Sequence, residues 1–114
     1  MVTSSGKDPN LKLSFPQPLP PGEYEIRLSL SSTIAGDGQL YWQEFGMTPP
    51  FAKQRSVEFD VATGGSSQDI QLPLKAGHPV PSIRLDPGRA SGTARITNVT
   101  VVNRQGTPVY ESKF

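Results

Sequence analysis

The 114-residue chain contains no cysteine, which excludes a disulfide framework, thiolate zinc sites and a cysteine nucleophile. Stability must come from the core. Histidine is nearly as scarce: His78 stands alone in "AGHPV", and no G-x-S-x-G segment accompanies it. No Ser-His-acid triad can be assembled, so His78 reads as a loop residue. Charge of one sign is also lacking, with 11 Lys plus Arg against 10 Asp plus Glu, the basic residues scattered. That distribution lacks the electrostatic footprint of a nucleic-acid binder. No apolar run reaches the roughly 20 residues that span a bilayer as a helix, and the N-terminus has no basic-then-apolar signal. No window of about 11 residues carries an i, i+3, i+4, i+7 apolar stripe, which argues against amphipathic helices.

What the chain has in quantity is proline and glycine, 12 and 11 residues, and between them short runs of alternating polarity. "LKLSF" places Leu11, Leu13 and Phe15 on one face, before "PQPLPPG" interrupts with four prolines. "EYEIRLSLS" alternates most clearly, with Tyr24, Ile26, Leu28 and Leu30 on one side. "QLYWQEF", "RSVEFDVA", "QDIQLPL", "SIRLDPG", "GTARITNVTVV" and "TPVYESKF" continue the pattern, separated by "AGDG", the Pro-rich "GMTPPFAKQ", "TGGSS", "KAGHPVP" and turns at Pro87–Gly88 and "NRQG". In "GTARITNVTVV", Ala94 and Ile96 have one parity, Val99 and Val101 the other. A β-bulge near Thr97 or Asn98 would absorb the switch. The expectation is an all-β protein: a two-sheet antiparallel β-sandwich, jelly-roll-like, of about eight strands. Residues 1–9 read as a flexible lead-in or linker and residues 10–114 as one domain, a piece of a larger exported protein.

The stretch "QLYWQEFGMTPPF" holds the lone tryptophan. Parity puts Leu40 and Trp42 on one face and Tyr41, Gln43 and Phe45 on the other. Trp42 suits the core, the alternative being a ring for sugar stacking. Tyr41, Gln43 and Phe45 form an outward aromatic-amide-aromatic row. Such a row can hold a sugar, with its C–H face on a ring and its hydroxyls on the amide. It can equally pack under the following loop or against a neighbouring domain.

Two segments, "QLYWQEFGMTPPFAKQRSVEFDV" and "IRLDPGRASGTARITNVTV", together resemble a carbohydrate-binding-like β-sandwich accessory module found beside sulfatase and glycosyltransferase domains in bacterial proteins. The resemblance covers about residues 22–103. It implies a non-catalytic module, such as the C-terminal piece of a sulfatase; the C-x-P-x-R or S-x-P-x-R motif of a sulfatase itself is missing. The implied partners are a polysaccharide and the catalytic domain of the same polypeptide, in the periplasm or outside the cell, with neither nucleic acid nor membrane involved.

For such a module the candidate contacts are Tyr41, Gln43, Phe45, Arg55 and Arg84. The two arginines supply guanidinium forks for sulfate or carboxylate groups of a sulfated or acidic glycan, or else are solvated strand charges. Glu44, Glu58, Asp60 and Asp86 read as outward carboxylates from which no glycosidase pair stands out. Asp86 either accepts backbone N–H groups of its turn or offers a loop carboxylate to a structural calcium. The competing reading is a structural domain that docks on its own catalytic domain and binds no glycan.

Overall fold

Alternation becomes strand over most of the computed structural model, which describes residues 2–6, 11–33, 38–61, 67–86 and 92–113, with side chains outside 2–6 and 92–93. Nine strands are present among these residues: β1 (Val2–Gly6), β2 (Leu11–Leu19), β3 (Gly22–Ser32), β4 (Gly38–Trp42), β5 (Ser56–Phe59), β6 (Gln68–Ala76), β7 (Val80–Asp86), β8 (Gly92–Asn103) and β9 (Pro108–Lys113). A short 3-10 turn over Lys53–Arg55 precedes β5. The turns expected within 34–37, 62–66 and 87–91 lie outside the described residues.

The strands form two antiparallel sheets, one ordered β1-β8-β3-β6 and the other β2-β7-β4-β5. This interleaving of the chain between two four-stranded layers is the jelly-roll arrangement. β9 adds to the first sheet along β8, pairing at residues 98–102, whereas β1 pairs with β8 at residues 92–96. The two strands thus share one edge of β8, end to end.

The eight strands read from alternation are β2 to β9; β1 is the addition. Its sequence, "VTSSG", lacks alternating apolar residues, and it joins through the backbone ladder, which needs none. Residues 2–6 of the expected lead-in therefore belong to the sheet. β2 also runs on through Pro16 and Pro18. It is an edge strand, and its pairing with β7 shifts between Ser14 and Leu19, so the prolines fall where no ladder donor is missed.

The facing sides of the sheets make one core, including Ile26, Leu28, Leu30, Leu40, Trp42, Leu72, Leu74, Ile83, Leu85, Ile96, Val99 and Val101. Each aliphatic side chain of this kind contributes about 1.5–3 kcal/mol when withdrawn from water. Phe15 of β2 meets Tyr110 of β9 edge to face, with ring centroids 5.0 Å apart, tying the sheets together. The parity switch in β8 is accommodated as expected. Ser29 pairs with Asn98 and Leu30 with Ile96, so Thr97 is the extra residue, and Ala94, Ile96, Val99 and Val101 all reach the core.

Candidate functional site

Because Leu40 and Trp42 of β4 and Ile83 and Leu85 of β7 point inward, the alternate residues make the outer face of the β2-β7-β4-β5 sheet. Register lines up a row across it. Lys12 pairs with Arg84, Arg84 with Tyr41, and Tyr41 with Ser56.

Arg84 is the centre of this row. Its Nε and Nη2 donate to the two carboxylate oxygens of Asp86 at 3.0 and 3.1 Å, a bidentate fork. Its guanidinium carbon lies 4.5 Å from the Tyr41 ring centroid and 5.2 Å from that of Phe51. The Lys12 Nζ sits 5.6 Å from the Phe51 centroid. Two aromatic rings and two cations therefore cluster over the sheet, within the range where a cation is attracted to a ring face. Polar groups continue the face to both sides. Ser82 Oγ donates to Gln43 Oε1 at 2.8 Å, and Gln39 Nε2 donates to Ser56 Oγ at 2.9 Å.

Of the residues singled out from the sequence, Tyr41, Gln43 and Arg84 are brought to this face. Phe45 is not part of the strand row. β4 ends at Trp42, and the backbone N–H groups of Gln43 and Phe45 continue to the carbonyls of Ser82 and Pro79 as the chain enters a turn. Phe45 stands 49% exposed at that turn, with Met47 beside it at 39%. Arg55 lies at the end of the 3-10 turn, only 7% exposed, where Nη2 donates to the Pro49 carbonyl and Nε has no hydrogen-bond partner. It holds the loop from Pro49 onward and does not present its fork to solvent. Asp86 is engaged by Arg84. Among the described residues no group of three or more His, Asp or Glu side chains is placed to hold a metal ion.

Phe51 and Lys12 were not among the sequence-derived contacts. Phe51 lies in a proline-rich loop with no periodicity, so nothing local indicates that it folds back over Arg84. Lys12 has the right parity in "LKLSF", but only the β2–β7 register brings it to Arg84.

Glu44 is the largest departure from expectation. Read as an outward carboxylate, it is buried, 7% exposed. Its Oε2 accepts the Trp42 indole N–H at 3.1 Å, while Oε1 accepts the backbone N–H groups of Gly77 and His78 at 3.1 Å and contacts His78 Nδ1 at 3.2 Å. Burial alone pushes this carboxyl up. The hydrogen bonds from Trp42, His78 and the two backbone amides together outweigh it and hold the group below its ordinary range. The charge is thus a structural anchor. It satisfies the buried indole and clasps the turn at 77–79 to the start of the loop that carries Phe51.

No protein-family model matches the chain, and no curated protein matches it in sequence. Solved structures do match in fold. The carbohydrate-binding module of PbXyn10C, in its unliganded form, superposes with a TM-score of 0.68 at 16% identity, over 94% of this chain and 68% of that one. The carbohydrate-binding module CBM1 of BiXyn10A, also unliganded, gives a TM-score of 0.57 at 14% identity, over 86% of this chain and 66% of that one. The chain has the sandwich architecture of these carbohydrate-binding modules and spans about two thirds of their length.

Proposed function

We propose that this domain is a non-catalytic carbohydrate-binding module, and that the glycan lies on the outer face of the β2-β7-β4-β5 sheet. The observation that carries this reading is the cluster of Tyr41, Phe51, Arg84 and Lys12, flanked by the Gln43–Ser82 pair. Ring surface not covered by the guanidinium takes the C–H face of a sugar, and the Gln43 amide, oriented from beneath by the buried Ser82 hydroxyl, and the remaining Arg84 N–H groups bond its hydroxyls. The fold likeness to modules named for carbohydrate binding supports the same reading. Of the carboxylates at this face and its loop, Asp86 and Glu44 are committed to Arg84 and to the 77–79 turn, and Glu58 by itself does not make the pair that glycoside cleavage needs, which favours binding.

The parent protein in this reading is an exported glycan-active enzyme, whose catalytic domain is held near its substrate by the module. Affinity electrophoresis through gels containing neutral or acidic polysaccharides tests it. Tyr41→Ala should weaken retardation roughly tenfold, about 1–2 kcal/mol, with an unchanged melting temperature. No retardation of the wild type by any polysaccharide would reject the reading. The second reading, docking on the catalytic domain, is favoured by one feature, the exposed Phe45 and Met47 at the tip after β4. It predicts that changes at Phe45 and Met47 loosen the contact between domains.

A further inference from the structure

The outer face that would carry the glycan has a balanced charge. Among the described strand residues, parity and register place four charged side chains on it, Lys12 of β2, Arg84 and Asp86 of β7, and Glu58 of β5, two cations and two carboxylates. The two arginines that could read sulfate or carboxylate are both committed. Arg55 is buried beneath its loop and donates to Pro49. Arg84 spends its Nε–Nη2 fork on Asp86, which compensates its charge. The guanidinium that remains is a flat, charge-compensated plate held against Tyr41 and Phe51.

Resting on the glycan-binding reading above, we infer that Asp86 sets the charge class of the ligand: by occupying the Arg84 fork it makes this face selective for uncharged glycans and excludes sulfated and uronate chains. An anionic group arriving at Arg84 finds the Nε–Nη2 fork taken and must use the remaining Nη edge, where the bound Asp86 carboxylate has already compensated the charge and repels a second anion placed close to it. A neutral sugar meets neither obstacle, since it needs ring surface and hydrogen-bonding groups, and those stay available. Asp86 is a positioning residue here. It fixes the plane of Arg84 against the rings and cancels its field, and its removal should change which ligands bind as well as how tightly.

The experiment compares wild type and Asp86→Asn by affinity electrophoresis in gels containing neutral xylan, neutral mixed-linkage β-glucan, dextran sulfate or polygalacturonate. The wild type should be retarded by a neutral polymer and by neither acidic one. Its retention should change less than about twofold as salt rises from about 0.05 to 0.5 M, because screening acts on exposed ion pairs and leaves stacking nearly untouched. Asp86→Asn keeps the shape, releases the Arg84 charge and turns an amide N–H toward a guanidinium N–H. It should gain retardation by dextran sulfate or polygalacturonate, about threefold to tenfold over wild type at low salt and lost at high salt.

Wild type retarded by an acidic polymer in a salt-sensitive way would overturn the inference while leaving glycan binding intact. A folded Asp86→Asn with the wild-type preference would also overturn it. Retardation by no polymer at all would remove the glycan reading and this inference with it. The wild-type arms need no variant, so the charge-class comparison decides even if Asp86→Asn does not fold.

Discussion

Trp42 and Glu44, two residues apart, show how much a single carboxylate can organise. The indole fills the core, and its N–H, which would otherwise be a buried orphan donor, is met by Glu44 Oε2. The other oxygen takes up two backbone donors from a turn more than thirty positions further along the chain. Glu44→Gln is nearly isosteric but cannot serve both ends. With its carbonyl toward the turn, its amide N–H faces the indole N–H, donor against donor. The variant should lose about 2 kcal/mol at neutral pH, measured by urea denaturation. The pH dependence follows from the same bonds. The folded carboxyl is held below its ordinary range while the unfolded one is not, so the unfolded state takes up a proton first as pH falls. The stabilisation from Glu44 is therefore complete above the ordinary carboxylate pKa of about 4.3 and is lost as pH drops through the lower folded value. Between about pH 7 and pH 3, wild type should lose more stability than Glu44→Gln, the two converging in acid. Parallel pH profiles would mean that Glu44 titrates normally.

At the scale of elements, alternation made most strands legible because each sheet buries one face and leaves the other wet, so parity alone separates Ile26 from Arg27 and Leu85 from Arg84. The bulge at Thr97 could be read because two in-phase apolar pairs fall out of phase with each other. β1 could not, because "VTSSG" pairs through its backbone and carries no pattern. The β4–β5 pair adds a constraint invisible in sequence. Gly38 opposes Phe59, and a Cβ at Gly38 would overlap the Phe59 ring. Gly38→Ala should therefore destabilise the domain by about 1–2 kcal/mol. The overpacking cost, about 1–3 kcal/mol, exceeds the roughly 0.4–1 kcal/mol that alanine returns by restricting the unfolded chain. Gly77→Ala is the contrast, since nothing lies within 4 Å of a Cβ there, and it should be neutral or slightly stabilising. Equal urea midpoints for the two variants would show that Phe59 does not pack on Gly38.

For the whole molecule, the jelly roll turns residues scattered along the chain into one face. Lys12, Tyr41, Phe51 and Arg84 come from two strands of the sheet's centre, one edge and a loop, and they meet because β7 lies between β2 and β4. Half of this site was legible. Tyr41, Gln43 and Arg84 declare their outward parity, whereas Phe51 depends on a loop closing over the sheet, with Arg55 and Glu44 as its buried anchors. Arg55 and Glu44 themselves read as surface charges, because sequence shows a residue's polarity and not whether a partner awaits it. The central claim, that the outer face of the β2-β7-β4-β5 sheet binds glycan, is tested most directly by titrating the isotopically labelled domain with neutral xylan and β-glucan oligosaccharides and following its amide and side-chain NMR signals. The account predicts concentration-dependent shifts confined to the neighbourhood of Lys12, Tyr41, Gln43, Phe51, Ser82 and Arg84. Shifts centred instead on Phe45 and Met47, or on the outer face of the β1-β8-β3-β6 sheet, would contradict it.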